Sequence, residues 1–140
     1  MAYSGYLVKV GNYEIPNEFI LANTLKPVIH GQDLDSYTNA NGVTVRNALK
    51  NKKPIVEWTV PAMSESEFRP IMDKIQEQYI NATENSCNVT AFYPEDGKYH
   101  TLKCYKPDTE FTIDRVDDDQ KEVYYEKVSI KFISYGGELK

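Results

Sequence analysis

The sequence predicts a mainly β, α+β fold: an antiparallel β-sandwich or barrel with one amphipathic helix packed against it. Short runs of alternating apolar and polar residues, rich in Val, Ile, Thr and Tyr, recur along the chain. Turn residues separate them, most clearly at Gly11-Asn12 and Asp96-Gly97. A single stretch, 65–80, changes its apolar period from two to three and four. Several strands, one helix, then four more strands, with neither internal repeat nor linker, read as one β-rich domain over 1–140.

Tyr6-Leu7-Val8-Lys9-Val10 and Tyr13-Glu14-Ile15-Pro16 flank Gly11-Asn12 and predict an opening hairpin. The apolar run from Phe19 to Ile29 is interrupted by Pro27, which predicts an edge or bent strand, because proline cannot donate to a ladder. A long polar loop follows at 31–42, ending in Asn41-Gly42, and Val43-Thr44-Val45-Arg46 alternates as a strand. Ile55-Val56-Glu57-Trp58-Thr59-Val60 is a further strand with Val56, Trp58 and Val60 on one face.

In the helix, Ser64 and Glu67 have capping-box spacing, and Phe68, Ile71, Met72, Ile75 and Tyr79 form the apolar stripe. Pro70 is tolerated only near the first turn, which sets the regular helix to begin at Ser66. Residues 87–93 and 99–105 form a hairpin around Asp96-Gly97. Runs 110–116 and 123–133 form another, around the acidic tip Asp117-Asp118-Asp119.

The bulk numbers exclude more than they assign. A formal charge of -5 argues against specific nucleic-acid binding, which draws on clustered Lys and Arg to neutralise phosphates. No window approaches 18 apolar residues and the first residues lack a signal-peptide pattern, so neither membrane insertion nor secretion is expected. Cys87 and Cys104 lack CxxC spacing and read as reduced core thiols on neighbouring strands; a bridge between them stays open. His30 and His100 stand in different elements, and no nucleophile elbow or phosphate-cradling glycine loop occurs. No enzyme activity and no cofactor are therefore expected.

The stretch Asp33-Leu-Asp-Ser-Tyr-Thr-Asn-Ala-Asn-Gly42 raises the question of calcium. With Gly42 at the sixth position of an EF-hand loop, Tyr37 and Ala48 fall where the first and last ligands belong, and Asp33 and Asp35 precede that register. The sequence instead predicts an assembly loop with Leu34, Tyr37, Asn39, Asn41, Gly42 and Arg46 as interface residues, since polar loops this long in a small domain tend to bind. Of the eleven tyrosines most fall in strands, leaving Tyr3, Tyr6, Tyr37 and Tyr135 as further interface candidates.

The segments YSGYLVKVGNYEIP, QDLDSYTNANGVTVRNAL and PIVEWTVPAM with the helix after it resemble small proteins encoded in tail modules of phages and prophages of Gram-positive bacteria. The resemblance covers the first half of the chain and implies the tail-tube or distal-tail fold. It also implies a structural virion protein, made in the host cytoplasm, that forms a homo-oligomer such as a hexameric ring with other tail proteins. In such rings sheets line a lumen, which an acidic surface would keep from holding DNA, and a long loop reaches a neighbour. A carbohydrate- or receptor-binding module of a tail tip is the alternative, using exposed Tyr, Asn and Asp side chains.

Overall fold

The computed structural model describes residues 3–32 and 37–137. The chain opens with β1 (Val8–Val10) and β2 (Tyr13–Glu14), then a single 3-10 turn at Asn17–Phe19 that buries Phe19. Strand β3 (Lys26–His30) precedes a small hairpin of β4 (Tyr37–Thr38) and β5 (Thr44–Val45). The long β6 (Lys53–Val60) and the short β7 (Met63–Ser64) lead into α1 (Glu65–Glu77). Next come β8 (Ser86–Tyr93), β9 (Lys98–Tyr105), β10 (Ile113–Asp117), β11 (Glu122–Tyr125) and β12 (Val128–Ser134).

Seven strands form one antiparallel sheet in the order β2-β1-β8-β9-β12-β6-β3, and a second sheet runs β10-β11-β7. The fold is thus mainly antiparallel β with a single α-helix among the described residues. Strand β3, with Pro27, lies at the sheet's edge, where a missing N–H costs least. The alternation in β6 works as its sequence predicts: Val56, Trp58 and Val60 are buried, opposite Phe132, Ile130 and Val128 of β12. From α1, Phe68, Met72 and Ile75 join the same core, with Phe19 and Phe68 ring centroids 5.8 Å apart. Each such side chain contributes about 1.5–3 kcal/mol by leaving water.

Helix α1 begins one residue before the expected Ser66. Ser64 is its N-cap: the hydroxyl donates to Glu67 Oε1 at 3.1 Å and accepts from the Glu67 N–H at 3.4 Å. Pro70 therefore sits in the second turn, and the Ser66 carbonyl lacks its i+4 donor, a cost of roughly 3 kcal/mol. The first turn is tied to β11, because Glu122 accepts from both the backbone N–H and the hydroxyl of Ser66. The helix ends at Glu77, so Tyr79 packs from beyond it.

The run 123–133 is not one strand. It breaks at the exposed pair Glu126-Lys127, leaving β11 in the small sheet and β12 in the large one. This lets a single hairpin, β10–β11, leave the main sheet and pair with β7 at the start of the helix. Its tip is closed by Asp117, whose Oδ1 accepts from the N–H groups of Asp119 and Gln120.

Candidate functional site

Residues 37–51 form an arm. All of them are exposed except the half-buried Val45. Tyr37 faces Val45 and Thr38 faces Thr44 across the two short strands. Asn39 shapes the tip: its backbone N–H donates to the Val43 carbonyl at 2.8 Å, and its Oδ1 accepts from the N–H groups of Asn41 at 3.0 Å and Val43 at 3.1 Å. The turn needs Gly42, whose φ of +80° is left-handed. At the base, the Leu49 N–H donates to the Gln32 carbonyl, Gln32 Nε2 donates to the Asn51 carbonyl, and Lys52 and Gly137 exchange backbone bonds.

This geometry divides the expected interface residues by role. Asn39, Asn41 and Gly42 build the turn, while Tyr37 presents surface, 59% exposed. Arg46 follows β5 and is exposed. Leu34, Asp33 and Asp35 lie outside the described residues, and with them the calcium question. Two apolar residues that the sequence reading missed, Val43 and Leu49, are 57% and 42% exposed. Their signal was faint, because a lone Val beside a turn reads as the start of a strand. Of the other tyrosines, Tyr6 is engaged internally, its ring 5.1 Å from that of Tyr99, whose OH donates to the Tyr6 carbonyl. Tyr135 lies against Tyr105.

The outward face of the large sheet has an apolar row, Val28, Ile55, Ile133 and Tyr105, placed side by side by strand register. Lys26 and Lys131 both face Glu57 in the next row, and Lys9, Lys53 and Lys103 project on the same side. This face is lysine-rich, whereas Asp117, Asp118 and Asp119 are at the tip of β10–β11.

A cleft of about 500 Å³ opens between α1 and the segment joining β9 to β10. Phe68, Phe111 and Tyr125 form an aromatic cluster beside it, with Phe68 centroids 5.6 Å from Phe111 and 5.5 Å from Tyr125, both edge to face. Phe111 remains 42% exposed. Tyr125 is oriented by its OH, which donates to Glu65, and Glu65 accepts in turn from Arg69 Nε. The Arg69 bond, aided by Tyr125, holds the Glu65 carboxyl below its usual pKa.

Lys106 is the unusual member. It is buried, and its Nζ donates to the Pro107 carbonyl at 3.2 Å and to Thr109 Oγ1 at 2.8 Å. Among the described residues no carboxylate lies within 4 Å of it to form an ion pair. Burial pushes its pKa down, opposed by the charge of Asp108. Asn85 fixes its backbone, accepting from the Lys106 N–H and donating Nδ2 to the Lys106 carbonyl. Tyr79, another lining residue, has a buried OH with no hydrogen-bond partner among the described residues, and burial raises its pKa to about 12. No sequence motif marked this cleft, since its residues come from four separate stretches.

Conventional catalytic groups are dispersed. Cys87 and Cys104 face each other across β8 and β9 as free, buried thiols, raised by burial to about 11 and about 12. His100 is buried with its Nε2 2.6 Å from Asp96 Oδ2, while His30 sits on the edge strand β3. Among the described residues no group of three or more His, Cys, Asp or Glu could hold a metal ion. No described helix is long and apolar enough to cross a membrane.

No curated protein and no solved structure matches the chain. The model of a family of unknown function, DUF6711, matches residues 1–135, and the chain belongs to that family.

Proposed function

We propose that this protein is a structural subunit of a phage tail, of the tail-tube or distal-tail kind, that joins copies of itself and other tail proteins through the arm at 37–51. The observation that carries the reading is the exposure of Tyr37 and Val43 on a two-stranded hairpin and of Leu49 at its base. A lone two-stranded hairpin is marginal in water, and its apolar side chains gain about 1.5–3 kcal/mol each only when something covers them. Closing a ring repeats that gain at every junction, with each later contact made at high effective concentration. The outer strands β2 and β3 leave further edges for a neighbour. On this reading the protein acts in the virion after synthesis in the host cytoplasm, without catalysis, cofactor, specific nucleic-acid binding or membrane insertion.

Light scattering and electron microscopy of the purified protein test it. The wild type is expected to form closed rings or tubes. A variant carrying Tyr37→Ser, Val43→Ser and Leu49→Ser should be monomeric with an unchanged circular-dichroism spectrum, and should melt as the dilute, dissociated wild type does. Equal oligomer mass in both would remove the arm from the interface, and a wild type that stays monomeric at high concentration would sink self-assembly.

The aromatic cleft favours a second reading, a carbohydrate- or receptor-binding module of a tail tip. Pockets of this size with a few convergent polar groups are where ligands bind. Retention of monomer on host cell-wall glycans would support it.

A further inference from the structure

We infer that the cleft between α1 and residues 106–113 is a binding site for an acidic saccharide, with the anionic group on Lys106 and the sugar ring against Phe111 and Tyr125. The inference rests on the binding-module reading and names its ligand class.

The cation comes first. An ammonium taken out of water is costly unless an anion or a full set of acceptors compensates it. Lys106 Nζ has three donors and spends two, on Pro107 and Thr109, with no carboxylate in ion-pair range among the described residues. The Nζ bonds to Pro107 and Thr109, made from a backbone that Asn85 pins, hold the charge beside the cleft. A carboxylate or phosphate entering the cleft supplies a third acceptor and a countercharge at hydrogen-bond distance, which Asp108, acting from beyond ion-pair range, does not.

The remaining wall narrows the ligand. Phe111 offers exposed ring surface next to Tyr125, which suits the C–H face of a sugar. Gln76, Asn85 and Thr109 add amide and hydroxyl groups of the kind that pair with sugar hydroxyls, and the Asp108 carboxylate can accept from a sugar hydroxyl away from the ligand's anionic group. A purely apolar acid such as a fatty acid would leave these groups unpaired, and inorganic phosphate would leave the aromatic wall bare. Arg69 does not compete for the anion, because Glu65 and Asp73 already engage it.

Saturation-transfer NMR on the full chain tests the site in any oligomeric state. The probes are D-glucuronic acid and glucose 6-phosphate, with D-glucose and inorganic phosphate as controls. At least one acidic sugar is expected to bind about tenfold more tightly than glucose, the worth of one charge-assisted hydrogen bond. Lys106→Met should abolish that preference, and Phe111→Ala, at an exposed position, should weaken both acidic sugars about tenfold in a fold checked by circular dichroism. Glucose binding as tightly as the acids would overturn the proposal and leave the carbohydrate-binding reading standing. Phosphate binding as well as glucose 6-phosphate would overturn the role of the ring. Binding of none of the sugars would overturn both readings of the cleft.

Discussion

Strand β6 and the arm are both built from strand-forming residues, yet β6 buries every second side chain and the arm buries almost none. In β6, Val56, Trp58 and Val60 meet β12 on one side, Val56 meets Pro27 of β3 on the other, and all three share one core with Phe68, Met72 and Ile75 of α1. In the arm, β4 and β5 pair only with each other among the described residues, and Tyr37 and Val43 face solvent. Local pattern therefore sets how a segment is shaped, while its place in the sheet order decides whether its apolar residues stabilise the monomer.

The largest effect expected is on the β6 side of this contrast. Trp58→Ala should cost about 3–5 kcal/mol, read from the urea midpoint at constant slope. The loss would be almost wholly packing, since Trp58 Nε1 is buried without a hydrogen-bond partner among the described residues. Ile75→Ala, on the helix, should cost about 2–5 kcal/mol, and Ile71→Ala less, because Ile71 is only half-buried. Val43→Ser in the arm should stay within about 0.5 kcal/mol under monomeric conditions. If Val43→Ser destabilised the monomer as Trp58→Ala does, the arm would be part of the core and the contrast would fail.

The same contrast explains what could be read from the sequence. The inward faces of β6 and α1 were legible because a period of two or of three and four is a local property. The arm's tip was legible because Asn41-Gly42 is a local turn signal. Pairing of the first hairpin with β8 was not, since nothing around Val8 or Val89 distinguishes one antiparallel partner from another. The division of 123–133 between two sheets turns on Glu126-Lys127, two charges that look like any solvated pair. The cleft was invisible for a related reason: Lys106, Phe111, Tyr125 and α1 meet only after the small sheet has folded against the helix, so no spacing records their proximity.

A smaller effect sharpens the link between the first hairpin and the helix. Gly11 has φ +58°, and a Cβ there would lie 2.4 Å from Gln78 Oε1 and 2.8 Å from Gln78 Cβ. Gln78 cannot simply withdraw, because its Oε1 accepts from the Asn12 N–H at 3.0 Å. Gly11→Ala should then cost about 2 kcal/mol, part left-handed strain and part the lost hydrogen bond. In a Gln78→Gly background the same change should cost only the strain, about 1 kcal/mol. Equal costs in both backgrounds would show that the hairpin does not lean on the helix end.

The smallest effect concerns charge at the junction of α1 and β11. Glu65 has its pKa lowered chiefly by the hydrogen bond from Arg69, and with further help from Tyr125. A carboxyl whose folded pKa is depressed contributes stability that is complete above its unfolded pKa, near 4.5, and is lost as pH falls through the folded value. Both Glu65 and Arg69 are partly exposed, so the pair is worth only about 0.5 kcal/mol. Replacing Glu65 with Gln keeps an acceptor for Tyr125 and removes the charge. Urea midpoints taken from pH 7 down to pH 3 should show the wild type slightly more stable than Glu65→Gln at neutral pH, with the gap closing below about 4.5 as Glu65 protonates. A gap that persisted unchanged to pH 3 would mean that side-chain shape, rather than the ion pair, fixes this corner. The small sheet would then be held to the helix mainly by Phe68 against Phe111 and Tyr125.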